Sequence, residues 1–138
     1  MTVRISESSS AWKKARILIV EDEENTRQAL AKLLAREGFV VDSVGNGREA
    51  LNFLRRQPVN LIVTDLKMPQ MDGITFLREL KKHFPKSNVI MITAYGGVES
   101  YLEAMNLGAF EYINKPVQIE ELKMVMKKIL SDKPRENC

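Results

Sequence analysis

Separate stretches of this chain carry side chains that could do chemistry together. Glu21-Asp22-Glu23 sets carboxylates in a row, Asp65 follows Leu61-Ile62-Val63-Thr64, Thr93 closes Val89-Ile90-Met91-Ile92, and Lys115 precedes Pro116. Each stands at the carboxyl end of a short, largely apolar run. Carboxylates gathered at one place repel: at roughly 6 Å and an effective dielectric of 20, each pair costs on the order of 3 kcal/mol. Such a cluster invites a hard divalent cation with oxygen ligands, and Mg²⁺ suits it. A lysine and a hydroxyl at the same edge could hold the remaining oxygens of a phosphoryl group. An acid nucleophile, a metal, a cation and a hydroxyl are the minimum set for phosphoryl transfer to a carboxylate.

Each group also has a plainer use. Asp22 and Glu23 precede a helical pattern and would favour its N-terminus. Asp65 could open a turn, because Met68-Pro69 and Asp72-Gly73 follow it. Thr93 alone is an ordinary strand threonine, and Lys115 alone a solvated loop lysine. The elements that position them separate the two readings.

The hydrophobic pattern alternates between short apolar runs and helical periods. Arg16–Val20 is β-branched and continuous, the mark of a strand buried on both faces. Thr26, Leu30, Leu33 and Leu34 give helical spacing up to Gly38, a favourable stop. Further strands are expected at Phe39–Val44, Leu61–Asp65, Val89–Thr93 and Phe110–Asn114. Helices are expected at Arg48–Arg56, at Gly73–Phe84 closed by Pro85, and around Val98, Leu102 and Met105 up to Gly108. Leu122, Val125, Met126 and Ile129 give a last helix before a polar tail. Strands alternating with helices through short loops imply an α/β fold, a doubly wound parallel sheet covered on both faces. In such sheets the binding crevice lies beyond the carboxyl ends of the strands, where Glu21, Asp22, Asp65, Thr93 and Lys115 would meet.

Composition sets the limits. The chain has 138 residues, 44% hydrophobic and 28% charged, which fits one domain with a real core. No apolar run reaches the roughly 18 residues of a membrane span. The polar, serine-rich N-terminal stretch lacks a signal peptide's apolar segment, so a cytoplasmic location is expected. The single cysteine, Cys138, allows no internal disulfide. A net charge of +3 is spread over helix faces with no aromatic interleaving, so no direct nucleic-acid contact is expected. His83 ends a surface helix, Met124 and Met126 suit packing or a partner surface, and Trp12 stands in a polar tail.

The segments ILIVEDEENTRQAL, LIVTDLKMPQMDG, MITAYGG and GAFEYINKP stand in the order and approximate spacing of response-regulator receiver domains. The chain resembles that family over about residues 15–131, with residues 1–14 and 132–138 as tails. Among receivers it is most similar in look to those of enhancer-binding transcriptional activators. The resemblance implies a flavodoxin-like five-stranded sheet of order 2-1-3-4-5. It makes Asp65 the phosphoacceptor, Asp22 and Asp65 direct Mg²⁺ ligands, the Lys67 backbone carbonyl another, and Glu21 a ligand through water. Thr93 would donate to the phosphoryl group and Lys115 would pair with it. Pro116 would follow a cis peptide, Tyr112 would be the aromatic switch, and small Ala94 would leave the site open to a donor. The partners implied are a sensor histidine kinase or a phosphotransfer protein, and an output domain or protein at the fourth helix, fifth strand and fifth helix, with a homodimer as one form. Val98, Tyr101 and Tyr112 would belong to that surface.

The chain departs from the family pattern in three places. Glu21 stands where aspartate is usual, and Lys67 and Tyr95 are bulky on the line along which water approaches the phosphorus. Slow autodephosphorylation is therefore expected. The implied protein is a switch and no enzyme beyond its own phosphorylation and dephosphorylation. One alternative, a Mg²⁺-dependent phosphohydrolase with an aspartyl nucleophile, expects an aspartate where Lys67 stands. The other is an inert receiver-like scaffold.

Overall fold

A computed structural model of the chain describes residues 14–68, 70–94 and 97–131. Trp12, Tyr95, Cys138 and all but residue 14 of the two expected tails lie outside them. The strands are β1 (Arg16–Val20), β2 (Val40–Val44), β3 (Leu61–Asp65), β4 (Asn88–Thr93) and β5 (Glu111–Asn114). They alternate with α1 (Glu24–Arg36), α2 (Gly47–Arg56), α3 (Gly73–His83), α4 (Val98–Asn106) and α5 (Ile119–Ser131). All strand pairs are parallel, in the order β2-β1-β3-β4-β5 expected of the family.

Both faces of the sheet are covered, which explains why its central strands read as unbroken apolar runs. Leu18, Val20, Ile62, Val89 and Met91 pack with Leu51 and Leu54 of α2, Phe76 and Leu80 of α3, and Ala104 of α4. On the opposite face Ile17, Ile19, Val63, Ile90 and Ile92 meet Leu34 of α1 and Leu122, Val125 and Met126 of α5. Each fully buried aliphatic side chain contributes roughly 1.5–3 kcal/mol of transfer free energy, so these layers fix which strand ends lie together.

Local signals set the helix ends. Glu23 caps α1 by accepting the Thr26 N–H at 2.7 Å, Asn46 caps α2 through Glu49, and Asp72 caps α3 through Thr75. Gly38 adopts a φ of 107° past the end of α1, a conformation that favours glycine.

Several expectations shift by one residue. Phe39 is outside β2, because its N–H bonds to Leu34 O and its ring buries in the core. Phe110 is likewise outside β5 and is partly exposed. Gly47 and Asn88 begin their elements, whereas Phe84 ends α3 as its C-cap.

The apolar residues of α4 lie on two sides of the helix. Of Val98, Leu102 and Met105, which marked α4, the first two face outward at 75% and 54% exposure, whereas Met105 packs against the core beside the buried Ala104. A helix with one small buried residue and one partly buried beside it is held by few apolar contacts. Arg78 of α3 adds an ion pair to Glu103 of α4 at 3.0 Å, both side chains half exposed.

Candidate functional site

Register brings the reactive residues to one edge. Val20 pairs with Thr64, Asp65 with Ile92, and Thr93 with Asn114, so β1, β3, β4 and β5 end side by side. Asp65 is the last residue of β3 and is buried, so it does not open a turn. Glu21 follows β1, and its N–H continues the ladder to Val44 O at 3.1 Å. Thr93 ends β4 fully buried, and its carbonyl accepts the Lys115 N–H at 2.8 Å. That bond suspends the β5–α5 loop from the neighbouring strand. The Lys115–Pro116 peptide is cis.

The side chains converge on a carboxylate cluster. One oxygen each from Glu21, Asp22 and Asp65 lie within 4.8 Å of one another. Lys115 Nζ donates to Glu21 Oε1 at 2.9 Å and to Asp65 Oδ2 at 3.0 Å. Glu21 Oε2 accepts the Glu23 N–H at 3.0 Å, and Asp65 Oδ1 accepts the Lys67 N–H at 3.2 Å. Asp22 is exposed, and its carboxylate has no donor among the described residues.

Electrostatics leave this site short of positive charge. Among the described residues, three carboxylates face the Lys115 ammonium, with the Arg27 guanidinium beside them on the Glu21 carbonyl, so negative charge is in excess. Burial pushes the Glu21 carboxyl above the usual carboxylate range, and Asp65 adds to the shift, against the bonds from Lys115 and the Glu23 N–H. Burial also opposes the Lys115 ammonium, but the bonds to Glu21 and Asp65 outweigh it and raise its pKa. Lys115 is therefore charged at neutral pH.

The donor set fits Mg²⁺. It is made of hard carboxylate oxygens without histidine or cysteine, and Asp22 has no competing donor. Beside it lies a cavity of about 530 Å³ lined by Glu21, Asp65, Lys115 and Pro116 together with Leu30 and Val63. Ala94 at its rim is exposed, which leaves an approach toward Asp65.

Residues 17–127 match the family model of the response regulator receiver domain. The chain belongs to that family. This receiver is 40% identical to the regulatory protein AtoC of Escherichia coli, over 83% of this chain and 25% of that protein. It is 35% identical to sporulation initiation phosphotransferase F of Bacillus subtilis, over 83% of this chain and 93% of the relative. Among solved structures, the response regulator TrrA of Thermotoga maritima, described as a complex with Mg²⁺ and BeF, superposes with a TM-score of 0.77. That pair shares 35% identity over 84% of this chain and 99% of TrrA. The receiver spans about a quarter of the length of AtoC.

Tyr112 of the receiver points its ring into the sheet face lined by α4. It meets Tyr101 edge-to-face, with centroids 5.5 Å apart and planes at 85°. Its hydroxyl is buried near Ser100 and the Gly97 backbone without forming a hydrogen bond to either. Burial accordingly raises the Tyr112 pKa.

Two residues of this site carried no sequence signal of their role. A Cβ on Gly73 would lie 2.6 Å from Asp65 O and 2.7 Å from Leu66 Cα, so only glycine lets α3 start this close to Asp65. The Asp-Gly pair marked the helix start but not that approach. Arg27 is the other: its Nη1 donates to Glu21 O at 2.9 Å, and no motif or spacing announces a side-chain bond to a backbone atom.

Proposed function

We propose that this receiver is a phosphorylation-dependent switch whose phosphoacceptor is Asp65. The observation that carries the reading is the Lys115 ammonium bonded at once to Glu21 and Asp65, with Asp22 completing the acidic cluster. An Asp65 carboxylate oxygen attacks phosphorus, the bond from phosphorus to the donor breaks, and the donor's nitrogen or oxygen leaves with the electron pair. Lys115 then pairs with a phosphoryl oxygen, and the Thr93 hydroxyl donates to another. Asp22, Asp65 and the Lys67 carbonyl would hold Mg²⁺, with Glu21 contributing through water. The ion would supply positive charge to offset that of the phosphoryl oxygens.

The donor is a sensor histidine kinase or a phosphotransfer protein of the cytoplasm. The unit that acts is residues 15–131, with residues 1–14 and 132–138 as its tails. Movement of Thr93 toward the phosphoryl group frees space into which Tyr112 shifts, and α4, β5 and α5 rearrange. The outward Val98, Tyr101 and Leu102 then serve an output partner or a second copy.

Intact mass after incubation with acetyl phosphate tests the reading. A gain of about one phosphoryl group, roughly 80 Da, that requires both Mg²⁺ and Asp65 is expected. A wild-type gain that persists in Asp65→Asn, or no gain from either acetyl phosphate or a histidine-phosphorylated donor, would overturn it.

A further inference from the structure

The β1–α1 loop must deliver Asp22 to Asp65, yet Asp22 itself is held by no side chain among the described residues. Its placement is inherited from Glu21, which is pinned at every polar atom. The Glu21 N–H bonds to Val44 O, Oε2 accepts from the Glu23 N–H, and Oε1 accepts from Lys115. The remaining atom, the Glu21 carbonyl oxygen, accepts from Arg27 Nη1 at 2.9 Å.

That last bond comes from outside the acidic cluster. Arg27 lies in the opening turns of α1, where its N–H makes the first helical bond to Glu23 O, and it is only partly exposed. Its guanidinium rests over Gly45, where a Cβ would stand 3.3 Å from Nη1. The Gly45 N–H is in turn held by Glu49 Oε1 at 3.1 Å. A floor of glycine backbone and a fixed neighbouring loop thus define where the guanidinium sits.

The peptide carrying the Glu21 carbonyl is the one that leads into Asp22. A peptide unit is planar, so fixing its oxygen fixes its whole plane, including the Asp22 nitrogen and Cα. We propose that Arg27 is a positioning residue for the cation site: through the Glu21 carbonyl it orients the peptide from which Asp22 projects, so that Asp22 and Asp65 present oxygens to one Mg²⁺. This rests on the reading of the acidic cluster as a Mg²⁺ site.

Charge and position predict opposite signs. A guanidinium close to a divalent cation repels it, so if Arg27 acted by charge alone its removal would tighten Mg²⁺ binding. If Arg27 acts by position, removal weakens binding despite the lost repulsion. Supporting groups of this kind alter metal affinity by roughly 10–100-fold.

Isothermal titration of Mg²⁺ into the wild type, Arg27→Met and Arg27→Gln decides between them, with melting temperature in EDTA as the structural control. Arg27→Gln keeps polar donors on a shorter stem and covers the case in which Arg27→Met fails to fold. Affinity lower by roughly tenfold or more in a folded variant is expected. Unchanged or tighter binding, even with a lowered melting temperature, overturns the role of Arg27 and leaves the cation site standing. Failure of the wild type to bind Mg²⁺ overturns the cation site and the role of Arg27 together.

Discussion

Lys115 reaches Asp65 from fifty positions along the chain, with Nζ 3.0 Å from Oδ2, and the same ammonium holds Glu21 at 2.9 Å. A single cation thereby offsets two buried carboxylates, whose side chains are 7% and 8% exposed against 24% for the lysine. Removal of this ammonium would leave the two carboxylates to repel each other.

Lys115→Met should lower stability in metal-free buffer by about 2 kcal/mol. That lies below the ~3–5 kcal/mol for breaking a fully buried pair, because solvent screens the partly exposed ammonium. Chemical denaturation of wild type and variant at neutral pH measures it. A variant as stable as wild type would show that Glu21 and Asp65 need no counter-charge.

Asp65→Asn acts in the opposite direction. It removes one of three crowded carboxylates while Lys115 keeps Glu21, so stability without metal should rise by about 1 kcal/mol. The lost Lys115–Asp65 pair holds the gain to that size. Thermal unfolding in EDTA checks it; a clear fall in melting temperature would make Asp65 a structural residue.

Tyr112→Phe removes a buried hydroxyl that has no hydrogen-bond partner among the described residues. Stability of the unphosphorylated receiver should be unchanged or higher by up to about 1 kcal/mol, since no bond is lost. The pH dependence follows from the raised pKa. Between the ordinary tyrosine value and the higher folded value, the unfolded chain releases a proton that the folded chain retains. The Tyr112 contribution is therefore present below the ordinary value and is lost as pH rises through the folded one. Ultraviolet titration of the tyrosines together with alkaline unfolding tests this: Tyr112→Phe should lose the late-titrating step and flatten the alkaline decline.

Lys67 sits two residues past Asp65, with an exposed side chain and its N–H on Asp65 Oδ1. The role proposed for its long side chain is to narrow the approach of water to a phosphoryl group on Asp65, so Lys67→Asn should shorten the phosphoryl lifetime severalfold. The decay of the phosphoprotein mass peak after removal of acetyl phosphate measures it. Wild-type loss within seconds, or a variant that decays no faster, would remove Lys67 from this role. The companion expectation for Tyr95 concerns a residue outside the described ones.

Most of the fold was legible in the chain because it follows from local patterns. Runs such as Leu61–Asp65 must be strands buried on both faces, and the helical spacing of Leu122, Val125 and Met126 must face a core. Alternation of the two implies a parallel sheet, and a parallel sheet collects its strand ends at one edge. Asp65, Thr93 and Lys115 could thus be grouped before any distance was known. Where short-range signals compete, reading failed by a residue: Phe39 is apolar enough for a strand, but a bond to Leu34 folds it into the core instead.

What tertiary structure alone decided concerns directions and partners. Helical spacing marked Val98, Leu102 and Met105 on α4 but could not say which of them the sheet would cover; Met105 packs there with Ala104, and Val98 and Leu102 do not. Nothing local to Lys115 says that its ammonium joins Glu21 to Asp65, or that Gly73 must lack a Cβ to clear the Asp65 carbonyl. Arg27 is the extreme case, because its partner is a backbone oxygen, which every residue possesses and no sequence pattern distinguishes. Periodicity reports how often a side chain faces inward; only the packed chain determines what it meets there.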